Sequence, residues 1–144
     1  MTVKQLSVFV ENRPGRLSAI TGILGGAGIN IRAVSIADTK DFGIMRLIVS
    51  DAEKAVAVLR ENNCSVTLTN VIAVEVQDKP CGMARIMETL YKDNISVEYM
   101  YAAFLNTAEG TACLILRVDS NDKAEQALAE ADCKMLSEEQ LSRI

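Results

Sequence analysis

Apolar and polar side chains alternate at the start of the chain and then change to a helical period. Leu6, Val8 and Val10 alternate with Gln5, Ser7 and Phe9, which predicts a strand that stops at Val10. Beyond it, apolar residues recur every three or four positions, which predicts a helix over residues 14–27. Pro14 suits the first helical position, where its missing N–H loses no bond, and Gly28 is expected to end the helix.

The rest of the first half continues this pattern. It predicts strands over residues 30–37 and 42–49, joined by a polar hairpin turn at 38–41. Ser50 and Glu53 have the spacing of a capping box, which predicts a helix from there to about residue 62. A short strand is expected over 65–69. The order is βαββαβ, the ferredoxin-like arrangement, with an antiparallel sheet and its helices on one face.

The second half of the chain repeats the first. Pro80 matches Pro14, and Cys133 matches Cys64 once an insertion in the second hairpin is allowed for. The repeat predicts strands at 71–76, 96–104 and 111–118, helices at 80–93 and 121–131, and a turn at 106–110. A short capped helical tail at 137–141 replaces the last strand. We therefore expect an α+β chain of two tandem domains, residues 1–70 and 71–144, without a flexible linker between them.

Apolar residues on both faces of the third strand of each copy bear on assembly. The face shared by Met45 and Leu47 is expected to meet the helices, but Phe42, Ile44 and Ile48 lie on the opposite face. Cys113 and Ile115 are the corresponding residues of the second copy. These side chains are either tolerated exposed residues or buried between modules or chains, and the second alternative predicts a homodimer.

Composition excludes several classes of function. The net charge of −4 is spread along the chain without a basic block, which argues against nucleic acid as a partner. No apolar run approaches the roughly 20 residues of a membrane span, and no secretory signal is evident. Four cysteines without C-x-x-C spacing, in a chain that lacks histidine, predict reduced thiols in the cytoplasm and no metal site or cofactor.

The turn before the first helix is the candidate binding site. Free N–H groups at a helix start favour a carboxylate, here near Gly15 and Arg16. Because glycine has no Cβ, Gly15 is also expected to let another group approach the backbone closely. The Asn12 carboxamide could complete a site for a zwitterionic amino acid, or it could simply cap the helix. Arg13 has the position of a solvated surface charge.

These residues resemble the ACT domain family. The resemblance rests on Asn12-Arg13-Pro14-Gly15-Arg16-Leu17, on the Gly28-Ile29-Asn30-Ile31 stretch and on the order of elements, and it covers the whole chain as two tandem modules. It implies a regulatory protein that binds a free amino acid at an interface between two ACT modules. The serine-sensing ACT domain of phosphoglycerate dehydrogenase is the most similar in this loop.

The resemblance also implies site residues. Ligand-contacting asparagines of that serine-sensing domain fall on Asn12 and Asn30. Its ligand-contacting histidine falls on Val10, so the resemblance does not determine which amino acid binds. In the second copy the matching positions are Asp78 and Ser96, and Cys81 replaces the loop glycine. The candidate ligand-binding residues are Asn12, Arg13, Pro14, Gly15, Arg16, Leu17, Asn30, Asp78, Cys81, Gly82, Met83 and Ser96.

Several residues keep two interpretations. Asp78 suits a helix cap as well as an ammonium group. Lys79, like Arg13, is expected to be a solvated surface charge. Cys81, near a helix start, is either a reactive thiol or simply a small residue. Tyr99 and Tyr101 share one face of a strand, where they either line a pocket or pack in a core or interface.

No group of residues indicates catalysis. There is no histidine to act as a base, no serine or cysteine with an identifiable partner, and no glycine-rich phosphate loop. We therefore expect a non-enzymatic regulator of an enzyme of amino-acid metabolism. The alternative is a regulatory subunit that acts mainly by protein contact with a biosynthetic enzyme such as acetolactate synthase.

Overall fold

The computed structural model describes residues 1–38, 41–104 and 109–143, with only the backbone of Asp38. It divides into two compact units, Lys4–Thr69 and Asn70–Ile144, the latter together with Met1–Val3. Both are βαββαβ modules with helices on one face of an antiparallel sheet, so the fold predicted from the sequence is confirmed. The predicted turns at 38–41 and 106–110 lie partly outside the described residues.

The first unit uses the predicted order of elements. Its elements are β1 (Val3–Glu11), α1 (Arg16–Gly26), β2 (Ile31–Asp38), β3 (Phe42–Val49), α2 (Ala52–Glu61) and the start of β4 (Val66–Gln77). The strands are ordered β2-β3-β1-β4, and Leu6 pairs with Leu47 in the antiparallel register of β1 and β3. Ile20 and Leu24 of α1 and Leu59 of α2 pack against this sheet. They are fully buried, as helical spacing predicts.

The second unit repeats the arrangement and adds a helix at its end. It contains the rest of β4, α3 (Gly82–Lys92), β5 (Val97–Ala102), β6 (Thr111–Val118), α4 (Asn121–Glu130), β7 (Met135–Leu136) and α5 (Glu138–Arg143). The strand order is β7-β4-β6-β5. Its core joins Ile72, Leu116, Leu90 and Leu128 from the sheet and both long helices. The predicted strands at 65–69 and 71–76 are the single strand β4.

Both long helices that follow a proline begin two residues later than predicted. Pro14 lies in a turn, and α1 begins at Arg16 because Gly15 has a left-handed backbone (φ +88°) that a right-handed helix cannot include. Cys81 has the same conformation (φ +69°) before α3. The prediction that these prolines occupy the first helical position is therefore wrong. Gly28, with φ +73°, ends α1 as expected.

The cap of α2 also differs from the prediction. Asp51 is the N-cap, and its carboxylate accepts a hydrogen bond from the N–H of Lys54 at 3.0 Å. Ser50 instead accepts from the N–H of Asn30 at 2.9 Å, so it joins the start of β2 to the end of β3. Aspartate caps helices as well as serine does, and Ser50 lies one residue too early. The predicted capping box is wrong.

The tail of the second unit carries a capping box. The Ser137 hydroxyl accepts from the N–H of Gln140 at 3.1 Å, and the Gln140 side-chain oxygen accepts from the N–H of Ser137 at 2.8 Å. The predicted helical tail is therefore present as α5, and Leu141 buries its side chain. The sequence did not predict β7, which is only two residues long and pairs with Ala73 and Val74 of β4.

The apolar residues on the second face of the sheets have two different environments. Ile48, Cys113 and Ile115 are buried, whereas Phe42 and Ile44 are exposed to 44% and 36%. Phe9 pairs with Ile44 across β1 and β3, and its ring lies 5.1 Å from that of Phe42. The first unit therefore presents an exposed aromatic pair on its sheet. In the described residues, no helix is long and apolar enough to span a membrane.

Candidate functional site

The turn that joins β1 to α1 is held by its own backbone. The N–H of Asn12 donates to the carbonyl of Asp41 at 3.1 Å, and the N–H of Arg13 donates to that of Glu11 at 2.9 Å. Gly15 is the N-cap of α1, and no side chain caps the helix. Asn12 is therefore not a helix cap. Within the described residues its carboxamide has no hydrogen-bond partner.

The space beside Gly15 is open, and its backbone has a left-handed conformation. Apart from its chain neighbours, no described residue lies within 4 Å of a Cβ built on Gly15, so packing against the rest of the described chain does not require a glycine there. The left-handed φ of +88° favours glycine at this position, because residues with a Cβ adopt this conformation only at a cost in energy. Close approach occurs at Gly82, where a Cβ would lie 2.0 Å from the carbonyl oxygen of Gln77.

A small pocket of about 90 Å³ opens beside this turn. It brings together three predicted site residues, Asn12, Arg13 and Leu17, with walls that the sequence analysis did not identify. The full lining is Val10, Glu11, Asn12, Arg13, Leu17, Ile36 and Gly43. Leu17 and Ile36 are 42% and 47% exposed, so the pocket offers an apolar wall to a ligand or a neighbouring surface.

Two arginines of the turn have different environments. Arg13 pairs with Glu11 at 3.0 Å, and both side chains are more than half exposed, so this pair contributes little to stability. Arg16, in the first turn of α1, has a buried Nε that no described residue satisfies. A buried donor without a partner costs about 1–3 kcal/mol. An acceptor that reaches Arg16 Nε would recover this energy.

Asn30, the second predicted asparagine, lies at the other end of the same sheet. Its carbonyl accepts from the N–H of Ser50, beyond the end of β3, whereas Asn12 bonds to Asp41, before its start. The eight residues of β3 separate the two positions. At roughly 3.4 Å per residue, the strand spans about 27 Å. One unit therefore does not bring Asn12 and Asn30 to the same ligand.

The second unit repeats this separation. The N–H of Asp78 donates to the carbonyl of Gly110 at 2.8 Å, as Asn12 does to Asp41. Ser96, like Asn30, lies at the far end, where its N–H donates to the Asp119 carboxylate at 3.1 Å. Cys81, not Asp78, is the N-cap of α3. Asp78 therefore does not cap the helix either.

A larger cleft of about 450 Å³ lies on the second unit alone. Its lining is Glu75, Val76, Gln77, Lys79, Pro80, Cys81, Gly82, Arg85, Ile86, Thr111, Asp132, Cys133 and Lys134. Of the predicted residues it includes Cys81 and Gly82, but not Asp78, Met83 or Ser96. Neither this cleft nor the smaller pocket is lined by Tyr99 or Tyr101, which are half-buried in β5.

The charged residues of this cleft were not predicted as a site. Lys134 pairs with Glu75 at 3.1 Å, and Arg85 donates from Nη2 to the carbonyl of Ala131 at 2.8 Å. They come from β4, from α3 and from the connection before β7. In the sequence, two of these residues differ in charge from their matches in the first copy. Arg85 corresponds to Ala19, and Lys134 corresponds to Ser65.

The four thiols are free and differ in environment. Cys81 is exposed, whereas Cys113 is buried in β6. Burial raises the pKa of the Cys113 thiol from 9.0 to about 12, and the nearby Glu75 carboxylate acts in the same direction. Among the described residues, no group of three or more histidine, cysteine, aspartate or glutamate side chains is placed to hold a metal ion.

Comparison with known proteins identifies the family. The family model described as an ACT domain pair matches residues 1–144. The chain is similar to protein BT0572 from Bacteroides thetaiotaomicron, with 34% identity, a TM-score of 0.93 and coverage of 100% of this chain and 98% of that one.

Two more distant structures share the fold. Regulatory subunits of aspartate kinase from Thermus thermophilus and Thermus flavus match with TM-scores of 0.65 and 0.61 and identities of 17% and 15%. The chain matches over 89% and 90% of its length, and over 91% and 92% of theirs. Comparison with curated proteins gives no match. The chain belongs to the ACT domain family, as a pair of ACT domains.

Proposed function

We propose that this chain is a non-catalytic regulatory protein that binds a small amino acid where the Asn12 turn meets a second ACT module. Binding would change how the chain associates with an enzyme of amino-acid metabolism. The observation that carries the proposal is the pair of polar groups left without partners at this turn in the described structure, the Asn12 carboxamide and Arg16 Nε. They lie at a turn that also carries the apolar wall of Leu17 and Ile36.

The chemistry of an amino acid suits these groups. Its carboxylate accepts hydrogen bonds, which Arg16 Nε and the N–H groups at the start of α1 can donate. Its ammonium group needs an acceptor, which the carboxamide oxygen of Asn12 or Asn30 can supply. Leu17 and Ile36 would contact the aliphatic part of a small side chain. Val10, which replaces the histidine of the serine-sensing ACT domain, favours an apolar rather than a hydroxyl side chain.

The position of Asn30 supports a homodimer. Asn12 and Asn30 lie at opposite ends of one sheet, so one unit supplies only half of the proposed site. In a twofold pair of first units, running in opposite directions, Asn12 of one copy would face Asn30 of the other. Two equivalent ligand sites would result, and ligand binding would favour the assembled pair.

The proposal includes a cytoplasmic setting, in which the four free thiols stay reduced. It also includes a partner enzyme. Aspartate kinase and acetolactate synthase are the first enzymes to test by co-purification with this chain. Loss or gain of that association on addition of the amino acid would measure the regulation directly.

A thermal-shift screen of the twenty amino acids tests the proposal. A ligand that binds only the folded chain is expected to raise its Tm by roughly 5–10 °C at about one hundred times its Kd. Asn12→Ala should abolish the shift. Asn70→Ala, which changes another exposed asparagine, is the matched control and should keep it. If no amino acid shifts the Tm at millimolar concentration, the proposal is wrong.

A further inference from the structure

The cleft of the second unit has a local charge opposite to that of the whole chain. Lys79, Arg85 and Lys134 contribute three positive charges, and Glu75 and Asp132 contribute two negative ones, in a chain of net charge −4. A cavity whose charge opposes that of the surrounding surface attracts ligands of the other sign. The cleft therefore favours an anion.

Two of these cations are not neutralised. Glu75 forms an ion pair with Lys134 at 3.1 Å, so its charge is already balanced by that lysine. Neither Lys79 nor Arg85 has a carboxylate within ion-pair distance among the described residues. The cleft thus holds two cationic side chains that are available to a ligand.

The position of Arg85 is fixed across the cleft. Its backbone N–H donates to the carbonyl of Cys81, and its Nη2 donates to the carbonyl of Ala131 at 2.8 Å. The guanidinium therefore reaches from α3 to the connection between α4 and β7, with further N–H donors unused by that bond. A planar, oriented guanidinium binds carboxylate and phosphate groups with paired hydrogen bonds.

Apart from Lys79, which matches Arg13, the charged residues of the cleft are absent from the corresponding positions of the first unit. Arg85 matches Ala19, Lys134 matches Ser65, and Glu75 matches Phe9. The first unit forms the same fold without them, so the fold does not require this set of charges. They distinguish the second module in the way expected of a binding site.

We infer that this cleft binds a small metabolite with two acidic groups, held between Arg85 and Lys79. Its volume of about 450 Å³ lies within the range of small-molecule sites. Dicarboxylates and phosphate compounds share the required chemistry. The inference goes beyond the proposed function, because it concerns a second ligand and residues that the Asn12 site does not use.

Isothermal titration with succinate and, separately, with inorganic phosphate tests the inference, at constant ionic strength set by sodium chloride. Binding of either probe is expected, and the tighter one identifies the acidic group that the cleft prefers. Arg85→Ala, which introduces the residue of the first unit, should weaken binding by about tenfold or more. Binding of neither probe would overturn the inference, as would equal binding by Arg85→Ala.

Arg60→Ala is the matched control. Arg60 also donates from Nη2 to a backbone carbonyl, that of Val66 at 3.0 Å, but it lies on the first unit and outside the cleft. This variant should bind the probe as the unchanged chain does, which separates loss of a ligand contact from loss of an arginine–carbonyl bond. Circular dichroism checks that both variants fold.

Two further measurements separate this inference from the proposed function. Asn12→Ala should keep its affinity for succinate or phosphate, and Arg85→Ala should keep any thermal shift produced by an amino acid. Loss of dianion binding in Asn12→Ala would contradict a separate site. A chain that binds a dianion through Arg85 but no amino acid would support this inference and refute the proposed function.

Discussion

Gly15 and Cys81 occupy the same position of the two modules and share a left-handed backbone, with φ of +88° and +69°. Glycine adopts this conformation freely, whereas a residue with a Cβ pays about 1–2 kcal/mol. The sequence match placed Cys81 opposite Gly15 but did not reveal the strained φ. Pro14 and Pro80 suggested helix starts, and the left-handed residue after each proline explains why the helices start later.

Cys81→Gly is expected to stabilise the second unit by about 0.5–1 kcal/mol. The substitution relieves the left-handed strain, and the greater chain entropy of glycine in the unfolded state offsets part of the gain. Chemical denaturation of the two proteins measures the difference in the free energy of unfolding. Gly15→Cys, the reverse change in the first unit, should destabilise. A destabilised Cys81→Gly would show that the thiol makes a contact that stabilises the fold.

Cys113 makes stability depend on alkaline pH. Its pKa is about 12 in the folded chain and near 9.0 when unfolded, so the unfolded chain loses the thiol proton first. The stabilisation from the buried neutral thiol is complete below pH 9 and is lost as the pH rises towards 12. Within that window the free energy of unfolding should fall by about 1.4 kcal/mol per pH unit from this group.

Urea unfolding at several alkaline pH values measures this slope. The comparison is with Cys113→Ala, which removes this thiol alone. The slope of that variant should be shallower. Equal slopes for the two proteins would show that Cys113 has the same pKa in the folded and unfolded states.

At the start of α2, Asp51 caps the helix and Ser50 bonds the start of β2. Asp51→Ala should destabilise the first unit by about 1 kcal/mol, because the Lys54 N–H loses its acceptor. Ser50→Ala should cost less, about 0.5 kcal/mol, since it removes a bond to the exposed Asn30 N–H. Thermal or urea unfolding of the two variants gives the ranking. A larger effect of Ser50→Ala than of Asp51→Ala would contradict this ranking.

The sequence predicted the strands in which apolar residues alternate with polar ones or form an unbroken run. The predictions for β3 and β6 match Phe42–Val49 and Thr111–Val118, because both are apolar runs bounded by turns. β7 was missed because its two residues, Met135 and Leu136, are too few to show a period. Its pairing with β4 depends on tertiary contacts rather than local sequence.

The candidate pockets were predictable only in their local parts. Asn12, Arg13 and Leu17 are neighbours in sequence, and the structure brings them to one pocket. Its other walls, Ile36 and Gly43, come from β2 and β3, whose register with β1 cannot be read from local sequence. Arg85 was missed for the same reason, since its cleft joins three segments distant in sequence.

In the proposed site, Asn12 and Asn30 contact the same ligand only if two copies of the chain associate. Asn12 and Asn30 lie at opposite ends of β3, which spans about 27 Å. A twofold pair would bring Asn12 of one copy to Asn30 of the other and so complete two sites. A site confined to one unit would use Asn12 without Asn30.

Mixing two variants tests this arrangement most directly. Asn12→Ala and Asn30→Ala should each lose affinity for the amino acid found in the thermal-shift screen. After subunits are exchanged between the two proteins, half of the dimers would be mixed, and each would regain one intact site. Isothermal titration of the mixture should then recover about one quarter of the sites at full affinity. A mixture that binds no better than the separate variants, or an Asn30→Ala variant that binds normally, would contradict the shared site.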